Sequence, residues 1–274
     1  MDPINRPADW APLFPWPTAT SHKHARGRLG VVSGAMASTG AARLAARAGL
    51  RAGAGLVKVF CPPDAVPVLA VALEAVMLAP FTSAGDLVQA TETMDAMVIG
   101  PAAGLTEATL GNVVALGPSR AALVVDADAL TIFKGRVGEL LACLDPVDVL
   151  TPHEGEFERL FPGLLAEGRQ EAAVEAARRA GAVVILKGAH SVIAAPDGRW
   201  TVNQAGTPWL ATAGTGDVLA GITGALLAQG MPSYEAACAA TWIHADAARR
   251  FGPGLISEDL PDLLPAVLAD LLPG

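Results

Sequence analysis

The sequence has little charge, few cysteines and no long apolar run. Charged residues make up 17% of its 274 residues. No stretch of about 18 residues is purely apolar, so we expect no membrane-spanning helix and no membrane partner. The first residues lack the basic and apolar regions of a secretory signal, and we therefore expect a cytoplasmic protein. Hydrophobic residues nevertheless make up 52% of the chain, which is typical of a globular protein with a sizeable core.

Positive charge is scarce as well, with 19 Lys and Arg against 27 Asp and Glu and a net charge of −8. This excludes a broad basic face, so we expect no nucleic-acid partner. Cys61, Cys143 and Cys238 are isolated in the sequence. We interpret them as small buried side chains in a reducing compartment, because they show no disulfide or metal spacing. The histidines show no metal-ligand spacing either.

Short apolar strands alternate with helical segments along most of the chain. Strands are predicted at residues 29–33, 56–60, 94–99, 121–126, 147–150 and 182–186, with a β-hairpin over 191–202 and helices at 41–51, 170–180 and beyond 212. This alternation predicts an α/β fold with a mostly parallel central sheet and helices on both faces. Such sheets bind ligands at the carboxyl ends of their strands. Residues 1–21, rich in Pro and Trp, are predicted to form an N-terminal arm on a single domain of residues 22–274.

A glycine-rich turn, Ala211-Thr-Ala-Gly-Thr-Gly-Asp217, leads directly into an apolar helical pattern. Backbone N–H groups around Gly214, Thr215 and Gly216 would gather at the positive end of that helix and form a site for an anion such as a phosphate. Asp217 would repel this phosphate unless it has a chemical role. One role is to take a proton from a hydroxyl that attacks a phosphoryl group. The alternative is that Asp217 simply caps the helix.

The motif Thr151-Pro-His-Glu-Gly-Glu156 follows the fifth predicted strand. His153 could bond a polar substrate, and Glu156 could hold a water of a magnesium ion without binding the ion directly. The alternative is a turn in which Thr151 and Glu154 form a capping box. The residues alone do not separate these two interpretations.

Other polar or small motifs follow the remaining strands. Lys187 and Gly188 suit a phosphate, although a surface Lys in a β-turn is the more common case. Asp126 and Asp128 either lie near a cation or are solvated strand ends. The small-residue loop at 100–104 suits close contact with a ligand or a plain tight turn. In combination, these motifs favour a nucleotide-using phosphoryl-transfer enzyme, and the absence of Gly-x-Gly-x-x-Gly argues against a dinucleotide-binding dehydrogenase.

The order and wording of these motifs resemble the ADP/ATP-dependent NAD(P)H-hydrate dehydratases. The two most specific matches are the Thr151-Pro-His-Glu-Gly-Glu156 motif and the Ala211-Thr-Ala-Gly-Thr-Gly-Asp217 turn. The remaining matches are residues 24–34, 40–42, 52–57, 95–101, 125–130 and 186–189, and His244. Together they cover about residues 22–268. The resemblance implies a ribokinase-like three-layer sandwich.

The resemblance also implies a repair activity. Family members phosphorylate the ring hydroxyl of the S-epimer of NADH or NADPH hydrate with ADP or ATP, and loss of phosphate restores the reduced cofactor. Magnesium is the expected cofactor, and a homotetramer is the expected assembly. Many relatives carry an upstream epimerase domain, which we expect to be absent here or supplied by a separate chain. The sequence does not choose between ADP and ATP or between NADH and NADPH hydrate.

Residue roles follow from the same resemblance. It implies that Asp217 deprotonates the hydroxyl and contacts the hydrate. Its other implied contacts with the hydrate are Ala41, Gly104 and His153. It implies nucleotide contacts at Lys187, Gly188, Ala189, His190, Ser191 and Gly216.

This sequence departs from the family pattern at three places. Ser33-Gly34-Ala35 replaces Gly-Gly-Ser, Gly100-Pro-Ala-Ala-Gly104 replaces Gly-Pro-Gly-Leu-Gly, and Glu154 replaces Pro. A side chain in place of glycine matters wherever φ is positive. Two rival functions stay open from the residues themselves, namely a ribokinase-like kinase for a small alcohol and a nucleotide-binding regulator without catalysis.

Overall fold

The structure, a computed structural model, describes residues 3–273. The strands in this range are β1 (Arg28–Val32), β2 (Leu56–Cys61), β3 (Met77–Pro80), β4 (Ala96–Ile99), β5 (Ala122–Val125), β6 (Val149–Leu150), β7 (Val183–Leu186), β8 (Ser191–Ala194) and β9 (Trp200–Asn203). The α-helices are α1 (Pro7–Trp10), α2 (Gly40–Arg51), α3 (Val66–Ala72), α4 (Ala84–Thr91), α5 (Glu107–Leu116), α6 (Asp128–Thr131), α7 (Val137–Leu141), α8 (Glu154–Leu160), α9 (Arg169–Ala180), α10 (Thr215–Ala228), α11 (Ser233–Phe251) and α12 (Leu260–Leu271).

The described strands form one sheet in the order β3-β2-β1-β4-β5-β6-β7-β8-β9. All pairings from β3 to β7 are parallel, and β8 and β9 add an antiparallel hairpin at one edge. The loops that follow β1, β4, β5, β6 and β7 therefore lie side by side along one edge of the sheet. This is the edge at which parallel sheets bind their ligands.

Both faces of the sheet are buried because its strands carry apolar side chains at successive positions. Val98 and Val124 face a layer that contains α2, α10, α11 and α12. Met97 and Leu123, their neighbours in sequence, face the opposite layer, which contains α5 and α9. The predicted three-layer α/β sandwich with a mostly parallel sheet is confirmed.

The predicted strands and hairpin are all present, with ends that shift by one or two residues. Sequence analysis missed β3, an edge strand whose residues are only partly buried or exposed. Most of its residues belong to a short apolar run, Ala75-Val-Met-Leu-Ala79, which periodicity alone does not distinguish from part of a helix. Cys61 and Cys238 are buried, as we expected from their isolation, and Cys143 is partly buried.

The N-terminal segment packs on the domain. Ile4 forms a parallel β-bridge with Val202, and Trp10 is 1% exposed. The indole of Trp10 donates a hydrogen bond to the side chain of Asn5, whose amide donates in turn to the carbonyl of Cys238 at 2.8 Å. The division into an arm of residues 1–21 and a domain of residues 22–274 stays a prediction, and residues 1, 2 and 274 lie outside the described range. Between residues 3 and 273, no helix has both the length and the apolarity needed to cross a bilayer.

Candidate active site

The glycine-rich turn starts α10, as the sequence predicts. Gly214 is the N-cap residue and has a φ of 89°, which is in the left-handed region that favours glycine. The hydroxyl of Thr215 donates to the carbonyls of Leu210 and Thr212 at 3.0 and 3.1 Å and so fixes the turn. Because the first N–H groups of a helix have no acceptor within it, this turn presents donors that suit an anion.

Asp217 lies in the first turn of α10 but is not its N-cap. That position belongs to Gly214, and the helix has no side-chain cap. The alternative interpretation of Asp217 as a plain helix cap is therefore wrong. Burial raises the pKa of Asp217 to about 7, with Asp126 adding to the rise and Lys187 opposing it. A carboxylate with this pKa is suited to accept a proton near neutral pH.

Lys187 lies among three acidic side chains. Its Nζ is 2.7 Å from Oδ1 of Asp126 and 4.0 Å from Oε2 of Glu156. Burial alone would lower the pKa of Lys187, but Asp126, Glu156 and Asp217 together raise it. The interpretations of Lys187 as a surface residue and of Asp126 as a solvated strand end are wrong, since both side chains are largely buried and form an ion pair.

The Cα of Gly216 faces this ion pair, at a distance where an added Cβ would be in contact. A Cβ at residue 216 would lie 3.4 Å from Nζ of Lys187 and 3.9 Å from Oδ2 of Asp126. The backbone at this position can therefore approach a ligand that also contacts the ammonium group. The ammonium of Lys187 therefore lies beside the start of α10.

His153 and Glu156 form the capping box of α8. Nδ1 of His153 accepts from the N–H groups of Gly155 and Glu156, and Oε2 of Glu156 accepts from the N–H of His153 at 2.8 Å. The alternative interpretation, a capping box of Thr151 and Glu154, is wrong by two residues, because His153 is the N-cap. With Nδ1 used as an acceptor, the neutral imidazole carries its proton on Nε2.

A cavity of about 560 Å³ lies beside these groups. All six residues predicted to bind the nucleotide line it, and so does His153. The six are Lys187, Gly188, Ala189, His190, Ser191 and Gly216. Apolar side chains such as Leu219 form another part of the lining. Burial lowers the pKa of His244, which also lines the cavity, to about 4, so its imidazole is neutral at pH 7.

Two of the four residues predicted to contact the hydrate, Ala41 and Gly104, follow β1 and β4 in the chain. Ala41 is the second residue of α2, and Gly104 lies in the loop between β4 and α5. The N–H of Gly104 donates to Oδ2 of Asp128 at 2.8 Å. Asp128 therefore holds this loop in place, a role that its position at a strand end did not reveal. Asp217, Ala41 and Gly104 lie outside the lining of the 560 Å³ cavity.

Two of the three departures from the family pattern have structural consequences. Ala102 has a φ of 52°, so a side chain occupies the left-handed region here. Ala35, by contrast, has an ordinary φ of −64°. Glu154 forms an ion pair with Arg169, a residue that sequence analysis did not single out.

Ala127 is a second alanine with a positive φ, of 50° at a ψ of −118°. It separates Asp126, which pairs with Lys187, from Asp128, which holds Gly104. This backbone conformation sends two neighbouring acids to different parts of the site. No local sequence motif marks this conformation of Ala127.

The acidic side chains fit a magnesium ion that arrives with a nucleotide rather than one held by the protein alone. Among residues 3–273 no three His, Cys, Asp or Glu side chains are grouped to hold a metal. Lys187 itself sits between Asp126 and Glu156. Magnesium commonly keeps several waters and binds through substrate phosphates plus one or two carboxylates, and this arrangement can supply those.

The fold and the site together define an α/β enzyme of the ribokinase-like type, with an anion turn, a carboxylate of raised pKa and an adjacent nucleotide-sized cavity. Residues 29–265 match the family model for NAD(P)H-hydrate dehydratase. The chain belongs to that family, and the predicted resemblance is confirmed.

Individual relatives agree with the family match. The chain is 36% identical to the ADP-dependent (S)-NAD(P)H-hydrate dehydratase of Xanthomonas campestris pv. campestris, over 94% of this chain and 93% of that protein. It is 40% identical to the bifunctional NAD(P)H-hydrate repair enzyme Nnr of Gloeobacter violaceus, over 92% of this chain but only 52% of that protein. It therefore spans about half the length of the bifunctional relative.

A solved structure shows the same fold over nearly its whole length. The ADP/ATP-dependent NAD(P)H-hydrate dehydratase from Bacillus subtilis, co-crystallised with ATP and Mg²⁺, superposes with a TM-score of 0.85. The two chains are 28% identical, and the match covers 99% of each.

Proposed function

We propose that this chain repairs hydrated nicotinamide cofactors by dehydrating the S-epimer of NADH or NADPH hydrate with ADP or ATP as co-substrate. Family membership and the name of the Xanthomonas relative support this substrate pair. The observation that carries the proposal is Asp217, a carboxylate with a pKa of about 7 in the first turn of a helix whose start is built to receive an anion.

The phosphoryl-transfer step follows from these groups. Asp217 accepts the proton of the ring hydroxyl, whose oxygen forms a bond to the terminal phosphorus. The bond from that phosphorus to the nucleotide breaks, so that AMP leaves when ADP is the donor and ADP leaves when ATP is the donor. The N–H groups around Gly214 to Gly216 and the ammonium of Lys187 stabilise the charge on the moving phosphoryl group.

Loss of phosphate completes the dehydration. The C–O bond of the phosphorylated ring breaks, phosphate leaves with the former hydroxyl oxygen, and loss of a proton from the neighbouring carbon restores the double bond. Ala41, Gly104 and His153 orient the hydrate in this proposal. Lys187, Gly188, Ala189, His190, Ser191 and Gly216 hold the adenine nucleotide.

The wider setting of the reaction is part of the same proposal. Magnesium bound with the nucleotide would neutralise phosphate charge, and Glu156 would hold the ion through a water. The protein acts as a cytoplasmic homotetramer. The ATP and Mg²⁺ of the Bacillus subtilis co-crystal support the choice of cofactor and co-substrate.

Recovery of the absorbance of the reduced nicotinamide ring tests the proposal. Purified protein is mixed with hydrated NADH or NADPH, Mg²⁺ and either ADP or ATP, and the reduced ring is followed with time. We expect recovery that requires a nucleotide and releases one phosphate per ring restored. No recovery with either nucleotide would contradict the proposal, and a stable phosphorylated product would favour a small-alcohol kinase instead.

A further inference from the structure

Arg169, the first residue of α9, forms hydrogen bonds to the loop that follows β7. One guanidinium nitrogen, Nη2, donates to the carbonyls of Leu186, Lys187 and His190 at 3.1, 3.2 and 3.4 Å. The other, Nη1, pairs with Glu154. One side chain therefore joins three points of a five-residue stretch to a different helix.

The loop has two sides with different neighbours. Residues 187–191 line the 560 Å³ cavity, whereas Arg169 does not. A Cβ at residue 188 would lie 2.5 Å from Nη2 of Arg169, so the guanidinium packs against the backbone of Gly188. By holding the carbonyls, Arg169 keeps these acceptors from turning towards a bound anion, which they would repel.

The position of Arg169 is electrostatically unfavourable for its own helix. A cation at a helix start lies near the positive end of the helix dipole. The carbonyls and the carboxylate of Glu154 compensate for this. These acceptors favour arginine over lysine at this position. The planar guanidinium can donate to several acceptors at once, and a lysine ammonium cannot reproduce that geometry.

Glu154 extends the connection to the other half of the site. It is the first residue of α8, directly after His153, the N-cap of that helix. Arg169 thus links the loop at 187–191 to the helix start that carries His153. Neither Arg169 nor Glu154 lines the cavity.

We propose that Arg169 is a positioning residue that presents the loop at 187–191 to the phosphates of the adenine nucleotide. This inference rests on the function proposed above, since it takes that loop to be the nucleotide-binding loop. It assigns Arg169 no contact with substrate. Its effect is on how tightly the nucleotide binds.

Arg169→Met, which keeps an unbranched side chain but removes the donors, tests the proposal. We expect the KM for ADP, or for ATP if that is the donor, to rise about tenfold or more. The KM for the hydrate and kcat at saturating nucleotide should change less than about threefold. Arg169→Lys should recover only part of the loss, and Arg178→Met on the same helix should leave all three constants unchanged.

Two measurements separate this inference from the proposed function. Calorimetric titration with ADP and with ATP needs no turnover, and hydrogen exchange of the amides at 188 and 189 reports on the loop directly. We expect weaker binding and faster exchange in Arg169→Met, with a melting temperature close to that of Arg178→Met. If Arg169→Met fails to fold, Arg169→Lys takes its place with the same readouts.

Unchanged nucleotide affinity in a folded Arg169 variant would overturn the inference, whether or not the wild-type protein restores the reduced ring. A fall in kcat at unchanged KM for the nucleotide would overturn it as well. Wild-type protein that binds neither ADP nor ATP would contradict both proposals. Weaker nucleotide binding without any ring recovery in the wild type would support Arg169 and reject the dehydratase activity.

Discussion

Nζ of Lys187 lies 2.7 Å from Oδ1 of Asp126, although the two are 61 positions apart in the sequence. The pair connects the ends of β5 and β7, two strands with β6 between them. Asp126 and Lys187 also act on Asp217 in opposite directions, the first raising and the second lowering its pKa. The protonation state of the proposed base is therefore set by this ion pair as well as by burial.

The pH dependence of the reaction should report this base. Because Asp217 must be ionised to accept a proton and its pKa is about 7, kcat/KM for the hydrate should fall tenfold per pH unit well below pH 7 and level off above it. The profile is to be measured with ADP and again with ATP. A limb that moves when the nucleotide changes would come from the nucleotide phosphates and would contradict the assignment to Asp217.

Ionisation of Asp217 should lower the free energy of unfolding at alkaline pH. Its folded pKa of about 7 lies above the usual value of 3.8 for an aspartate, so the folded state binds more protons between these values and stability falls as pH rises through them. Asp217→Asn cannot ionise. Its excess in free energy of unfolding over the wild type should therefore grow by about 2–3 kcal/mol between pH 5 and pH 8.

Denaturant unfolding at the two pH values measures this difference. Asp148, whose pKa is also raised to about 7 by burial, is present in both proteins and cancels in the comparison. A difference that stays constant from pH 5 to pH 8 would mean that the pKa of Asp217 is not raised.

Ala102→Gly should stabilise the fold. The φ of Ala102 is 52°, and a left-handed conformation costs a side-chain-bearing residue roughly 1–2 kcal/mol. Part of that gain is offset by the greater freedom of glycine in the unfolded chain, so we expect a net rise of about 0.5 kcal/mol in the free energy of unfolding. Ala103→Gly, next to it with no positive φ, is the matched control and should lose about 0.5–1 kcal/mol. Equal losses in both variants would refute the strain at Ala102.

Gly216→Ala should weaken nucleotide binding without unfolding the protein. The added Cβ would enter the space beside Nζ of Lys187, at 3.4 Å. A phosphate oxygen needs that space in the proposed complex, so we expect the dissociation constant for ADP to rise at least about tenfold, or about 1.4 kcal/mol. Gly111→Ala in α5 meets no heavy atom within 4 Å. It should leave binding unchanged and slightly raise stability. Wild-type affinity in Gly216→Ala would place the phosphates elsewhere.

The central strands and the turn at 211–217 could be predicted from the sequence because each has a strong local signature. The apolar runs of β4 and β5 mark buried parallel strands, and the glycines before Asp217 mark a helix start. Strand β3 was not predicted; its residues 77–80 form a partly exposed edge of the sheet. The capping box begins two residues later than in the alternative with Thr151. That alternative was the more obvious one because threonine is a common N-cap residue and histidine is an unusual one.

The remaining gaps concern contacts that no local pattern encodes. Lys187 and Asp126 meet only because the sheet order places β5 and β7 on either side of the short strand β6. Arg169 lies in a stretch without a motif, and its three carbonyl partners appear only once the loop after β7 has its shape. The Glu at position 154, where the family pattern has Pro, is likewise explained only by its ion pair with Arg169.

The most direct test of the account is Asp217→Asn, assayed for ring recovery and for nucleotide binding on the same protein sample. We predict that turnover falls by a factor of about a thousand or more, in line with the loss of a general base and of its charge. The dissociation constant for ADP should stay within about threefold of the wild type or decrease, because a carboxylate near the phosphates is removed. Turnover close to that of the wild type in this variant would contradict the role assigned to Asp217.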